Sequence, residues 1–255
     1  MRLNRRAARP PLSWERAVVA AVFLCAVLPG GGAASAAPQP SRRTFVVTDF
    51  DTVRLEAPIE ITIVTGKGAS AIGTGDRDTL DGLELTANGD ALTIRLHKVV
   101  ALGGSGGKAR LPTRIALTTN QLRRASVSGA GNLTADRLKG DRTEASLRGA
   151  GTLRIARVET DRIDVGLLGA GSMTLAGQTL QMTATMSGSG RLDATALDVR
   201  RVRIDTEGAV DAQVKARDEA IAGANGDGRL VVAGTAKCTV RKAGNASIMC
   251  GGEVY

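Results

Sequence analysis

The sequence is poor in aromatic residues, and this shortage limits the functions that it can support. Only 2% of the 255 residues are Phe, Trp or Tyr, and beyond residue 36 these are Phe45, Phe50 and Tyr255 alone. Proteins that bind single-stranded nucleic acids stack bases on aromatic side chains, beside a groove of clustered basic residues. The basic residues here are scattered along the chain. The composition therefore argues against a nucleic-acid-binding protein.

Histidine is almost absent, which limits catalysis and metal binding. A Ser–His–Asp triad would have to use His97, the single histidine, but no nucleophile motif lies near it. A surface position is the simpler interpretation. The glycine-rich stretch GGSGGK (103–108) departs from the phosphate-binding P-loop pattern, since residue 102 is Leu and residue 109 is Ala. We expect no catalytic residues, no cofactor and no metal ion.

The first 36 residues have the composition of an export signal. A segment with five arginines precedes the apolar run Ala17–Leu28, and helix breakers and the small-residue sequence Ala34-Ser35-Ala36 follow. The run is short for a membrane span, although an N-terminal anchor is the alternative. We predict a signal peptide over residues 1–36, cleaved after Ala36, and a periplasmic or secreted protein. Without this segment the net charge falls from +9 to +5, because five basic residues and one acidic residue are removed.

The chain after the signal peptide divides at a glycine-rich loop. Residues 37–43 (APQPSRR) are expected to form a flexible leader, and residues 44–100 alternate apolar and polar side chains as strands do. Asn88-Gly89-Asp90 is typical of a hairpin turn. Residues 101–110 form the loop, and residues 111–255 form a second, repetitive part.

The second part repeats a glycine motif every 18–20 residues. VSGAGNL at residue 127 recurs as LRGAGTL at 147, LLGAGSM at 167 and MSGSGRL at 186, with three weaker copies after them. Taking Gly131 as the reference, we align Gly151, Gly171, Gly190, Gly208, Gly228 and Ala246 with it. The positions two and four residues after this reference, and six before it, are apolar in every copy. Such a pattern predicts an all-β solenoid, a parallel β-helix with coils of about 18–20 residues and an aliphatic interior.

The glycines of this motif are expected to turn the chain at one corner of every coil. Glycine allows positive φ, which a tight corner requires. We therefore assign a structural role to four glycine pairs, Gly129 and Gly131, Gly149 and Gly151, Gly169 and Gly171, and Gly188 and Gly190. Any ligand site is expected on the polar columns beside this turn.

Cys238 and Cys250 are the two cysteines after residue 36. An even number of cysteines in an exported protein indicates a disulfide. Both residues have the inward parity of the last copy, on either side of the turn KAGNAS. We predict a structural disulfide that closes the final coil.

Residues 45–250 resemble the head GIN domain family. The stretches FDTVRLEAPIEITIVTGKGASAIGTGD and LELTANGDALTIRL, followed by the glycine repeats, carry the resemblance. Members are exported bacterial proteins of unknown function that are also labelled putative autotransporter adhesins. The resemblance implies a right-handed β-solenoid and supplies no catalytic residues.

The function expected from these features is non-enzymatic binding or adhesion through one face of the solenoid. The partner would be an envelope glycan, a cell-wall component or another protein. One alternative is a polysaccharide lyase or hydrolase, because two charged sets could decorate a face: Arg157, Asp161, Arg162 and Asp164, or Arg200, Arg201, Arg203 and Asp205. The missing aromatic residues count against it. The other alternative is a self-associating scaffold.

Overall fold

Eighteen strands and one short helix make up the part of the chain that the structure, a computed structural model, describes, residues 40–97 and 112–255. The predicted signal peptide and the loop 101–110 lie outside these residues. In chain order the elements are β1 (Ser41–Phe45), β2 (Thr52–Glu56), β3 (Glu60–Thr65), β4 (Ser70–Gly75), α1 (Arg77–Asp81), β5 (Leu83–Asn88), β6 (Ala91–Leu96), β7 (Arg114–Thr119), β8 (Arg124–Gly129), β9 (Asn132–Ala135), β10 (Leu138–Gly149), β11 (Thr152–Gly169), β12 (Ser172–Gly188), β13 (Arg191–Gly208), β14 (Asp211–Asn225), β15 (Arg229–Gly234), β16 (Lys237–Ala243), β17 (Ser247–Cys250) and β18 (Glu253–Val254).

From β8 onward the chain forms stacked coils, which confirms the predicted β-solenoid. β10 pairs in parallel with both β8 and β11, and β11 to β14 continue the same parallel stack. Each long strand covers several sides of its coil, and the alternation of buried and exposed residues breaks at the corners. In β11, for instance, the adjacent pairs Ala156-Arg157 and Asp161-Arg162 are both exposed.

The N-terminal part contributes a coil that the sequence repeat does not reveal. β2 pairs in parallel with β6 on one edge and with β8 on the other. β3 likewise lies between β7 and β9. The β2–β3 segment is therefore inserted between two coils that follow it in the chain. Val53, Leu55, Ile61 and Ile63 from this segment are fully buried and join the two parts into one hydrophobic core.

Antiparallel strands cover the N-terminal end of the stack. β4 pairs antiparallel with β7 and with β1, and β5 pairs antiparallel with β6 through the turn at Gly89, whose φ is +58°. The helix α1 begins at the N-cap Asp76, whose side chain accepts a hydrogen bond from the Thr79 backbone N–H, and it buries Leu80. The sequence predicted the hairpin but not the helix.

Two sequence expectations need correction. Residues 41–43 were assigned to a flexible leader, but they belong to β1, where Arg43 also donates a hydrogen bond to the Leu80 carbonyl. The alignment of the fifth repeat was wrong by two residues, since Gly208 pairs with Gly188 and not with Gly190. Val210 therefore occupies the reference position in that coil. A slip of two keeps the parity of a strand, so the predicted inward residues stayed apolar.

Candidate functional site

A long groove follows one corner of the coils. Its volume is about 1140 Å³. The lining comes from β2, β6, β8, β10, β11, β12, β13 and β14 or the residues beside them, eight strands that neighbour one another in the stack. Adjacent strands lie about 4.8 Å apart, so the groove extends roughly 34 Å along the solenoid. We call it the corner groove.

Polar side chains line most of the corner groove. Leu180, which is 44% exposed, is the one large apolar side chain among its described lining residues. The full lining consists of Asp51, Thr52, Arg54, Asn88, Asp90, Ala91, Gln121, Arg123, Arg124, Lys139, Gly140, Asp141, Arg142, Glu159, Thr160, Asp161, Gln178, Thr179, Leu180, Asp198, Arg200 and Arg217. A surface of this kind offers hydrogen bonds and charges rather than apolar contact.

At this corner, threonine hydroxyls link three of the coils to the coil before them by hydrogen bonds. The Oγ1 atoms of Thr160, Thr179 and Thr235 donate to the backbone carbonyls of Asp141, Asp161 and Arg217, at 3.2, 3.3 and 3.1 Å. Thr179 is buried, so its hydroxyl needs such a partner. These bonds fix the backbone beneath the groove and hold the outward side chains in register.

Charge is distributed unevenly along the groove. In and beside β2, β8 and β10 it is lined by five cations, Arg54, Arg123, Arg124, Lys139 and Arg142, and by three carboxylates, Asp51, Asp90 and Asp141. Along β11 to β14 the balance reverses by one charge, with three carboxylates, Glu159, Asp161 and Asp198, against Arg200 and Arg217. The groove therefore has a positive segment followed by a negative segment.

Ion pairs hold some of these charges but leave others available. Arg142 contacts Asp164 at 2.7 Å and Arg200 contacts Asp218 at 3.0 Å. Arg217 pairs with Asp198 across neighbouring coils. Within residues 40–97 and 112–255, Arg54 and Lys139 form no ion pair with a carboxylate.

The resolved pKa shifts lie outside the corner groove. The hydrogen bond from Arg95 lowers the pKa of Glu56, and the same contact raises the pKa of Arg95. Glu60 raises the pKa of Arg114 through an equivalent hydrogen bond. The Thr195 hydroxyl and backbone N–H lower the pKa of Asp193, and Glu253 raises the pKa of Tyr255. Glu56, Arg95 and Arg114 belong to surface ion pairs, and Asp193 and Tyr255 are hydrogen-bonded to residues two positions away in the chain.

Of the groove carboxylates, Asp90, Asp141 and Asp161 are exposed to solvent, and Asp51, Glu159 and Asp198 are half-buried. Asp141 and Asp161 occupy opposite positions in the β10–β11 pair, so their backbones are about 4.8 Å apart, and both side chains are exposed. A glycoside-cleaving acid normally needs a raised pKa, which a buried, apolar setting provides. The environment of these two residues is not of that type.

The charged sets considered for catalysis do not converge on one site. Of the first set, Asp161 lines the groove, whereas Asp164 pairs with Arg142, Arg157 lies 3.9 Å from Glu159, and Arg162 donates to Gln181. Of the second set, Arg200 lines the groove, and Arg203 contacts Asp205 at 3.3 Å. Arg201 is exposed on the outer surface. His97 is exposed and contacts Glu84 at 2.9 Å.

The glycine turn lies at a different corner from the groove, and its two glycines have different roles. Gly129, Gly149, Gly169 and Gly188 have φ between +98° and +117°. Gly131, Gly151, Gly171 and Gly190 do not have positive φ. At each of these second positions a Cβ atom would lie between 2.3 and 2.8 Å from atoms of the coil beneath. The expectation of positive φ at both glycines is therefore wrong for the second one, where close packing alone requires glycine. At Gly149, Gly169 and Gly188 close packing adds to the positive φ, since a Cβ atom there would lie 2.5–2.6 Å from a backbone oxygen of the preceding coil.

The sequence pattern places a ligand site beside the glycine turn, whereas the groove lies at another corner of the coils. The available signal was a pair of adjacent outward residues in each repeat, such as Asp141-Arg142, Asp161-Arg162 and Arg200-Arg201. Two exposed residues in a row interrupt the period of two and mark a corner. No such pair indicates by itself that the corner is concave.

The profile of one protein family matches most of the described solenoid. The family is described as putative auto-transporter adhesin, head GIN domain, and the match covers residues 49–236. The chain belongs to this family. This result confirms the resemblance drawn from the FDTV opening and the glycine repeats. No curated protein matches the sequence.

Solved structures of low sequence identity share the fold. A putative adhesin from Bacteroides fragilis superposes with a TM-score of 0.72 at 18% identity, covering 84% of this chain and 97% of that chain. A putative lipid binding protein from Parabacteroides distasonis gives 0.64 at 16% identity, covering 82% and 96%. A putative adhesin from Parabacteroides merdae gives 0.62 at 16% identity, covering 83% and 95%. At these identities the likeness concerns the fold alone.

No helix within residues 40–97 and 112–255 has the length and hydropathy that a membrane span requires.

Proposed function

We propose that this family member is a non-enzymatic binding protein of the bacterial envelope that holds an extended polar polymer in the corner groove. The ligand would be a glycan or another cell-wall chain. The observation that carries the proposal is the length of the groove, which crosses eight neighbouring strands without interruption. A chain of several sugar units can lie along roughly 34 Å, whereas a small molecule would fill only part of it.

The chemistry of the lining supports a polar polymer over a lipid. An acyl chain gains affinity by burying methylene groups against apolar walls. The corner groove presents Leu180 and Ala91 among charged, amide and hydroxyl side chains, so little apolar area is available. The lipid-binding description of the Parabacteroides distasonis structure therefore finds no matching surface in this groove.

A non-enzymatic role is favoured over catalysis because the charged residues do not converge on one site. The two charged sets are divided among separate ion pairs, and the facing carboxylates Asp141 and Asp161 are exposed. Release of reducing or unsaturated sugar ends from a bound polymer would contradict a non-enzymatic role. The polysaccharide-active alternative would then become the better account.

The self-association alternative concerns the open edge of β16. Alternate residues of this strand are exposed, and Lys237, Arg241 and Lys242 lie along it. Lysine and like charges on an edge strand hinder pairing with a second copy. Sedimentation velocity should show a monomer at micromolar concentration, and growth of a larger species with concentration would favour the scaffold instead.

Direct binding by residues 37–255 tests the proposal. Envelope polysaccharides and wall fragments are titrated against the wild type and against the triple variant Asp161→Ala, Gln178→Ala, Arg200→Ala, which keeps the net charge. The control triple variant, Thr134→Ala, Arg154→Ala, Glu207→Ala, likewise removes one carboxylate, one guanidinium and one neutral polar group, all from outside the groove. We expect at least a tenfold weaker affinity for the groove variant alone. Equal affinities in all three proteins would contradict the proposed site.

A further inference from the structure

The cations of the corner groove are concentrated on three successive levels of the stack. Arg54 on β2 and Arg124 on β8 come from adjacent strands, since Thr52 pairs with Arg124 and Arg54 pairs with Ser126. Arg124 in turn pairs with Glu144 of β10, the strand that also supplies Lys139 and Arg142. Neighbouring strands are about 4.8 Å apart, so these side chains start within roughly 10 Å of one another along the axis.

Local backbone contacts hold this cluster in place. The Gln121 side chain donates to the Lys139 carbonyl at 2.8 Å, and the Arg123 backbone N–H donates to the Asp51 carbonyl at 2.7 Å. Gly140 takes the coil position that Thr160 occupies in the next coil. Gly140 lies beside the stem of Arg123, since a Cβ atom at this position would be in van der Waals contact with Cγ of Arg123, at 3.5 Å.

The carboxylates nearby do not neutralise the cluster. Arg123 reaches Asp51 at 3.6 Å and Arg124 reaches Glu144 at 4.0 Å, both longer than a direct hydrogen bond. Arg54 and Lys139 have no carboxylate partner among the described residues. Asp90, which lies beside β2, also lines the groove, so five cations face three lining carboxylates, Asp51, Asp90 and Asp141. One of the five cations, Arg142, is already paired with Asp164, which leaves a small positive excess at these levels. Guanidinium groups are well suited to carboxylate and phosphate oxygens.

We infer that the polymer held by the groove carries anionic groups, carboxylate or phosphate, and that one of them is bound by Arg54, Arg123, Arg124 and Lys139. This inference rests on the proposed function and specifies its ligand. In the negative segment that follows, Asp161 forms no ion pair within the described residues and would repel a second closely spaced anion. The preferred ligand therefore has sparse negative charges separated by neutral units, rather than a charge on every unit.

The test removes the two cations that have no described carboxylate partner. Arg54→Gln with Lys139→Gln lowers the charge by two without leaving a partner carboxylate exposed. Arg148→Gln with Arg154→Gln is the matched control, because both arginines are exposed, lie outside the groove and form no ion pair within the described residues. Circular dichroism and thermal melting check that both variants remain folded.

Four probes separate the sources of charge: a neutral glucan, a sparsely carboxylated glycan, a sparsely phosphorylated wall polymer and fully charged polygalacturonate. We expect one or both sparse polymers to bind best, and the Arg54/Lys139 variant to bind them at least tenfold more weakly. The control variant should change the affinity less than twofold. Which of the two sparse polymers binds identifies the anion as carboxylate or phosphate.

The outcomes distinguish this inference from the proposed function. Equal binding of the neutral glucan and the sparse polymers, with loss in the Asp161/Gln178/Arg200 variant, would keep the groove as the site but overturn the anion specificity. Equal weakening in the control variant, or tightest binding to polygalacturonate, would indicate general charge attraction and overturn it as well. Binding of none of the four probes would remove the support for both proposals.

Discussion

Cys238 and Cys250 form a disulfide across the interior of the last coil, with their Cα atoms 6.1 Å apart. Cys238 follows Ala220 in its column of the stack, and Cys250 follows Val232. Those two residues are fully buried and pack in the core. Among the described residues only the short strand β18 pairs with β17 beyond this coil, so the disulfide adds a covalent link to a coil that has less packing on that side.

Loss of this disulfide should destabilise the C-terminal end. A cross-link that closes a loop of about 13 residues stabilises a protein by roughly 3 kcal/mol through the entropy of the unfolded chain. Denaturant unfolding of residues 37–255 with and without reductant measures the difference. The double variant Cys238→Ala, Cys250→Ala is the control and should be insensitive to reductant. Two reactive thiols in the unreduced protein would show that the bond is absent in solution.

The sequence predicted this bond because the inward parity and the export signal agree. It predicted the solenoid for a related reason, since columns such as Leu133, Leu153 and Met173 repeat on one face. Alternation identifies which face of a strand is buried, but it does not identify the neighbouring strand. The insertion of β2–β3 between β6–β7 and β8–β9 therefore could not be predicted. Neither could the groove, because its concavity depends on the angle between two sides of the coil.

Replacing the second glycine of the turn should destabilise the protein, although φ is not positive at that position. A Cβ atom at Gly151 would lie 2.3 Å from the Gly131 carbonyl oxygen, which is backbone and cannot move aside cheaply. We expect Gly151→Ala to lower the free energy of unfolding by about 2–4 kcal/mol, a loss typical of overpacked or strained positions. Thermal and denaturant melts measure it.

Two other glycines serve as controls for Gly151→Ala. Gly166→Ala should change stability by less than about 0.5 kcal/mol, since φ is not positive there and the nearest heavy atom is 3.9 Å away. Gly129→Ala meets no atom within 4 Å but has a φ of +98°, so it should cost only backbone strain, about 1–2 kcal/mol. If Gly151→Ala proved as harmless as Gly166→Ala, the close-packing explanation would be wrong.

At one buried threonine, Thr143, a substitution should leave stability unchanged or raise it rather than lower it. Thr143 is buried, and its Oγ1 atom has no hydrogen-bond partner among the described residues. An unpaired buried hydroxyl is costly, and valine has nearly the same shape. Thr143→Val should leave stability unchanged or raise it by about 1 kcal/mol. The matched change Thr179→Val should instead lower stability by about 1 kcal/mol, because it removes the bond to the Asp161 carbonyl. Equal losses in both variants would contradict this account.

The inserted coil should be held partly by a pH-dependent ion pair. Arg95 on β6 contacts Glu56 on β2 at 2.7 Å and lowers the pKa of Glu56. A carboxylate whose pKa is lower in the folded state stabilises the protein above its unfolded pKa, about 4.3, and loses this contribution as the pH falls through the folded pKa. Because both side chains are exposed, solvent screens the pair and its contribution to stability should be small.

The variant Arg95→Gln measures this contribution. Urea unfolding at pH 7 should show a small loss of stability relative to wild type, and the difference should shrink toward zero as the pH falls through the lowered pKa of Glu56. The exposed Arg148→Gln serves as the control and should show no such convergence. Arg114 and Glu60 repeat the contact at 2.7 Å between β7 and β3. A difference between wild type and Arg95→Gln that persisted unchanged into acid would mean that Arg95 acts through packing of its aliphatic stem rather than through the charge of Glu56.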